Sequence, residues 1–294
     1  MKRILIILFV LLLWLTACSS GESHAQVAAT TLPVYEFTSA ICEGTPITVT
    51  RLVTEEVSCL HDYSLNVRQV RAAEAAEVIV ISGAGLEAFL DDLLTEKATV
   101  DASSGLELLC PTEAHDHGHG ENDHHDHHHE SDPHLWLSPE NAMVMAENIC
   151  AGLCSRYPEY EDTFRTNLTA LRLRLQELQH YGEEALASLS CRELITFHDG
   201  FGYLANSFQL TILEAVEEES GSEASAKELI QLIEAVELHG LPAIFTEKSG
   251  SVSAASIIAR ETGCKTYELD MAMAGDSYFA AMYHNIDTLK EALQ

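Results

Sequence analysis

The chain has 294 residues, 47% of them apolar, which suits one or two globular domains rather than a disordered or fibrous chain. Its 46 acidic residues against 16 basic ones set a formal charge of −30 at pH 7. Such a surface repels nucleic acid and anionic lipid headgroups and attracts cations, so recognition of a phosphate backbone and membrane binding through a basic patch are excluded.

Lys2 and Arg3 precede an apolar run from Ile4 to Leu15 that closes at Leu15-Thr16-Ala17-Cys18. Residues 1–17 read as an export signal, too short for a membrane span. Their end resembles the bacterial lipobox, which implies that Cys18 becomes the lipidated first residue. Residues 18–25 read as a flexible tether. Loss of the signal leaves 14 basic residues against 46 acidic ones, a net of −32. The expected protein is extracytoplasmic and lipid-anchored to the cell membrane. Of the remaining cysteines, Cys42, Cys59, Cys110, Cys150, Cys154, Cys191 and Cys264 contain no C-x-x-C pair, so a thiolate zinc site is not indicated.

The spacing predicts an α/β fold of two lobes, each a parallel sheet flanked by helices, joined by a single long helix. In the N-terminal lobe (26–157), strands are expected at 26–31, 47–53, 78–81, 98–100 and 135–137. Helices are expected at 33–42, at 66–76 with Val67, Val70 and Ala73 inward, at 86–94 and from Pro139. Ser138 is placed to cap that last helix, with Pro139 at its first position. Residues 158–190 carry no strand signal. Phe164, Leu168, Leu171, Leu175, Leu178, Ala185 and Leu189 repeat at helical spacing, broken only by Gly182, and predict one helix of roughly 45 Å. A dimerising coiled coil is the alternative, but the stripe is marginally short for one, and the chain is expected to be a monomer. The C-terminal lobe (191–294) resumes with strands at 194–197, 209–216, 243–246 and 265–269 and helices at 224–239, 252–262 and 276–293. Open α/β sheets bind ligands at the carboxyl ends of their strands, so a cleft between the halves is the expected site.

Residues 114–130 interrupt this order. His115, His117, His119, His124, His125, His127, His128 and His129 stand among Asp, Glu and Gly with almost nothing apolar. A segment with no surface to bury is expected to be a mobile loop, and its imidazoles form an auxiliary metal-gathering tract. Three other histidines are placed differently. His61, His134 and His198 each lie at or beside a strand end or tight turn, and Asp270 follows the strand 265–269. Three imidazoles and a carboxylate make a four-coordinate nitrogen/oxygen set suited to Zn²⁺. Asp62, Asp132 and Asp199 are candidates to orient the imidazoles.

Four stretches carry a resemblance: His61-Asp62-Tyr63; Asp132-Pro133-His134-Leu135-Trp136-Leu137-Ser138-Pro139; Phe197-His198-Asp199-Gly200-Phe201-Gly202-Tyr203; and Leu269-Asp270, with Gly83-Ala84-Gly85-Leu86-Glu87 as a fifth. Together they resemble the solute-binding lipoproteins of bacterial zinc and manganese ABC importers over nearly the whole mature chain. The resemblance implies a metal held between two lobes by His61, His134, His198 and Asp270 and delivered to an ABC permease. Histidine at position 198 and the histidine-rich loop resemble the zinc branch, so Zn²⁺ is the expected cargo and Mn²⁺ or iron the alternative. Glu268 and Asp276 remain open as the fourth ligand. A secreted zinc hydrolase is the other functional class; the chain has no H-E-x-x-H pattern, and a closed four-ligand site favours transport over catalysis. Gly83-x-Gly85-x-x-Ala88 also fits a short dinucleotide fingerprint, more plausibly a tight turn.

Overall fold

The computed structural model describes residues 26–55, 60, 63–109, 131–216, 224–248, 250 and 252–294. The signal, Cys18, the tether, His61, Asp62 and the histidine tract lie outside the described residues. Strands β1 (Gln26–Ala29), β2 (Thr48–Arg51), β3 (Val78–Ile81) and β4 (Ala98–Asp101) form one parallel sheet of order β2-β1-β3-β4. Strands β5 (Glu193–Phe197), β6 (Thr211–Ala215), β7 (Ala243–Glu247) and β8 (Lys265–Leu269) form a second, of order β6-β5-β7-β8. In both sheets the order reverses at the first strand, which opens a crevice at the carboxyl ends of β1/β3 and β5/β7.

The period of two along each strand explains how the lobes are joined. Val27, Ala29, Val78 and Val80 face one continuous core that also takes in Leu194, Ala243 and Phe245 of the second sheet. The alternate residues Ala28 and Ile79 pack outward against Ala73 and Leu90. Ile195, Phe197 and Ile244 do likewise against Leu232, Val236 and Ile258. Each sheet is therefore covered on both faces, as parallel strands require, and the two lobes share their inner layer.

Between the sheets, α4 (Pro139–Arg156) and α5 (Glu161–Ala185) pack on each other; α1 (Leu32–Cys42), α2 (Val67–Ala75) and a short α3 (Asp91–Leu94) precede them. Ser138 caps α4 by accepting from the Asn141 N–H at 3.3 Å, with Pro139 at the first helical position. At 25 residues, α5 is about 37 Å long, shorter than predicted because a 3₁₀ turn at Pro158–Tyr160 takes its start and Leu186 ends it. Phe164, Leu171, Leu175 and Leu178 are buried within the chain, so the stripe that a coiled coil would need between two chains packs inside one. Gly182 continues that stripe: a Cβ there would stand 2.2 Å from the Phe208 ring. Phe208 is buried and cannot yield easily. Gly182→Leu is expected to overpack this contact and, after the roughly 1 kcal/mol gained in helix propensity, lower stability by about 2 kcal/mol in urea denaturation. An unchanged midpoint would show that the ring is not held there.

Three expectations need correcting. Residues 135–137 form a 3₁₀ turn, not a strand. All three side chains are fully buried, as they would be in a central strand, but the Leu137 and Ser138 N–H groups close back onto the His134 and Leu135 carbonyls. Residues 86–94 hold a 3₁₀ turn (Ala88–Leu90) followed by the short α3 instead of one helix. In α2 the inward residues are Gln69 and Ala73, while Val67 is exposed, because the Gln69 amide answers the Asn66 N–H, the Leu52 carbonyl and the Tyr63 hydroxyl. The remaining helices are α6 (Gly202–Ser207), α7 (Ala226–His239), α8 (Ser253–Thr262) and α9 (Tyr278–Leu293). Among the described residues no helix is long and apolar enough to cross a membrane.

Candidate metal centre

His134 is held at the start of the 135–137 turn. The Asp132 Oδ1 atom accepts from the His134 backbone N–H at 2.9 Å and lies 2.8 Å from its Nδ1. One carboxylate thus fixes both the backbone and the ring, and Nε2 is the nitrogen a metal would take. The next residues tie this segment across the molecule. Trp136 donates its indole N–H to the Met271 carbonyl at 2.7 Å, and the Tyr278 hydroxyl donates to the Trp136 carbonyl at 2.8 Å.

His198 follows β5 at the point where the order of the second sheet reverses. Its ring meets that of His134 edge-on, with centroids 5.3 Å apart. Register places Phe197 opposite Thr246, so the next residues, His198 and Glu247, are neighbours, and Glu247 Oε2 stands 3.4 Å from His198 Nδ1. Glu247 is buried, and burial first, then the nearby Asp270, pushes its carboxyl up to about 8. A cation in the cleft would favour its ionised form. Gly200 fills the space between the two imidazoles: a Cβ there would lie 2.6 Å from the His198 ring, 2.9 Å from His134 Nδ1 and 2.7 Å from the Met271 methyl. Only a residue without a side chain leaves both rings where they are.

Asp270 follows β8 and stands beside Lys248, whose Nζ lies 3.0 Å from Asp270 Oδ2. Glu268 and Asp276, the other acidic candidates, are both exposed. Two imidazoles from opposite lobes are therefore brought together, and Asp270 lies at the end of the adjoining strands. Among the described residues no three His, Cys, Asp or Glu side chains converge on a metal position, and His61 lies outside them. Sequence reasoning missed Glu247, Lys248 and Gly200. A charged residue closing the apolar run Ala243–Thr246 is the signal that points to Glu247.

A family match follows the same path through the chain: residues 27–292 match ZnuA, the zinc-uptake complex component A periplasmic. The chain belongs to the ZnuA family. It is 31% identical, over 99% of its length, to the zinc-binding lipoprotein AdcA of Streptococcus pneumoniae, and 29% identical, over 92%, to the zinc-binding protein AdcA of Streptococcus pyogenes. It spans only 61% and 56% of those proteins' lengths. The crystal structure of the Zn(II)-bound ZnuA-like domain of Streptococcus pneumoniae AdcA superposes with a TM-score of 0.75 at 26% identity, covering 92% of this chain and 99% of that domain.

Within this ZnuA-family chain the glycine-rich turn after β3 is closed to a phosphate. Glu87 is buried and accepts from the Thr30 hydroxyl at 2.6 Å, the Ser82 N–H at 2.7 Å and the Gly83 N–H at 3.0 Å, while the Ala84 N–H goes to Ser103 Oγ at 3.0 Å. Those amides would have to face a dinucleotide, and each already has a partner within the chain. Gly83 has a φ of 88°, and a Cβ on it would overlap the Asp101 and Ser103 side chains, so the turn needs glycine there.

Burial pushes the Glu87 carboxyl up to about 7; its three hydrogen bonds offset part of this and Asp101 adds a smaller push upward. A carboxyl whose folded pKa lies above its unfolded value binds its proton more tightly when folded. Its stabilising contribution is thus full below about pH 4.5 and lost as pH rises through about 7, on the order of 3 kcal/mol in all. Wild type should lose about that much stability relative to Glu87→Gln between pH 4.5 and 8 in urea titrations of the metal-free protein. A pH-independent difference would contradict it.

Proposed function

We propose that the chain is an extracytoplasmic zinc carrier that takes Zn²⁺ into the cleft between its lobes and hands it to an ABC permease, tethered to the membrane through a lipid on Cys18. The observation that carries this reading is the meeting of His134 and His198 from opposite lobes, with a carboxylate beside the Nδ1 of each ring. Two imidazoles, each with a carboxyl group beside Nδ1 and with Nε2 left for a metal, suit a borderline cation such as Zn²⁺ better than the harder Mn²⁺. In this reading His61 supplies a third nitrogen and Asp270 an oxygen, and a site closed by four protein ligands has no open position for a catalytic water. The family relation and the naming of the streptococcal relatives as zinc-binding support carriage over hydrolysis. The stripe of α5, buried within the chain, supports a monomer.

The tract at 114–130 is read as an auxiliary gatherer. The residues that flank it are held together, where the Asp132 N–H donates to the Leu109 carbonyl at 2.9 Å, so it can be removed without stretching its base. Deleting residues 114–130 should leave one tight zinc per chain and remove only weaker equivalents, because a segment with almost nothing apolar gains little packing to offset the entropy of ordering its imidazoles around a metal. Titration calorimetry decides between the two: disappearance of the tight event would put the primary site in the tract.

A further inference from the structure

Asp270, just past the end of β8, is a fixed group. Its N–H donates to Asn285 Oδ1 at 2.7 Å and its carbonyl accepts from Asn285 Nδ2 at 2.7 Å, while Asn285 itself is fully buried. Its Oδ1 accepts from the Ala272 N–H at 2.8 Å. Oδ2 is then the atom a metal would take, and the Lys248 ammonium stands against it at 3.0 Å. The placement comes from the sheet. Glu247 pairs with Leu269, the Lys248 N–H donates to the Leu269 carbonyl at 2.8 Å, and the next step along both strands puts Lys248 beside Asp270. The two partners differ in exposure: the Asp270 side chain is 16% exposed, on a backbone fixed by Asn285 and with Oδ1 held by the Ala272 N–H, whereas the Lys248 side chain is 49% exposed on a long stem.

We propose that Lys248 is a tethered cation that occupies Asp270 in the metal-free protein and sets how tightly the C-terminal half of the site takes a divalent ion. The inference rests on the zinc-carrier reading and on Asp270 as a ligand. Entry of Zn²⁺ exchanges the ammonium for the metal at Oδ2. The lysine swings toward solvent, but its stem keeps one positive charge within a side-chain length of a doubly positive ion. At about 8 Å in a water-like medium that repulsion alone weakens binding about fivefold, and more where the cleft excludes water. On release the ammonium returns to the carboxylate, so the exchange lowers affinity mainly by raising the off-rate.

The test uses the full chain and follows the tightest zinc event by competition with a chromophoric chelator, with zinc release by stopped flow. Lys248→Met should tighten zinc about five- to tenfold, mostly through a slower off-rate. Lys248→Arg, which keeps the charge, should behave as wild type. In an Asp270→Asn background, where no carboxylate holds the ammonium near the metal, Lys248→Met should have a clearly smaller effect, and raising the salt to 0.5 M should shrink the effect in the wild-type background, since exposed charges are screened over a few ångströms there. Unchanged or weaker zinc binding in Lys248→Met, or an equal effect with Asp270→Asn, overturns the inference. A purely structural ion pair predicts the weaker binding, together with a lower melting temperature. Failure of the wild type to bind zinc tightly defeats the carrier reading instead, which keeps the two outcomes apart.

Discussion

Alanine at His134 or at His198 is expected to weaken tight zinc binding by at least about 100-fold while leaving the fold intact. Structural zinc sites gain roughly 10–16 kcal/mol from about four ligands, so one ligand accounts for about 3 kcal/mol, and each 1.4 kcal/mol is tenfold in affinity. The two residues also test the lobes separately, since His134 belongs to the segment before α4 and His198 to the end of β5, and their rings meet across the cleft. His134 is buried, so its loss removes packing against the Trp136 ring as well. A melting curve of the metal-free variant separates that loss from the loss of a ligand. The expected result is near-normal unfolding without zinc and the absence of the stabilisation that zinc confers on the wild type. Zinc-dependent stabilisation equal to wild type in either variant would remove that histidine from the site.

Asp132→Ala is expected to lower zinc affinity about 10- to 100-fold although Asp132 touches no metal in this account, the range typical of groups that orient a ligating imidazole. The reason is geometric: one oxygen, Oδ1, serves both the backbone N–H and Nδ1 of His134. Removing it frees the ring to take the other tautomer and frees the turn that carries it. Asp132→Asn keeps an acceptor oxygen and should recover much of the affinity, a rescue that a charge effect alone would not produce. Chelator competition on both variants makes the comparison. Equal losses for alanine and asparagine would mean that the negative charge, not the orientation, matters.

Much of this architecture was legible in the residues. Strands 78–81 and 265–269 have the predicted limits because each is a short run bounded by turn-forming or charged residues. The cap at Ser138 and the burial of Ala142, Met145, Ile149 and Leu153 follow from helical spacing alone. What misled was burial on every side: Leu135-Trp136-Leu137 looks like a strand because a fully buried 3₁₀ turn and a fully buried strand are equally apolar. Val67 misled in the opposite way, since its place on the helix was taken by a glutamine whose partners lie in other segments.

The site divides along the same line. The pairing of His134 with Asp132 is local, two residues apart, and could be read from Asp132-Pro133-His134. The pairing of His198 with Glu247 and that of Asp270 with Lys248 depend on which strands are neighbours, and neither the strand order nor the register can be read from spacing. Gly200 is similar: its lack of a side chain matters only because two imidazoles and a methionine from three separate segments converge on it.

The central claim is that one zinc ion sits between the lobes at His134 and His198. Crystals of the full chain carrying one equivalent of zinc, with diffraction recorded on both sides of the zinc absorption edge, test it most directly. The account predicts a single dominant anomalous peak within coordination distance of Nε2 of both rings, with His61 and Asp270 completing the shell and the Lys248 ammonium moved off Asp270. A dominant peak among the tract histidines, or none between His134 and His198, would contradict it.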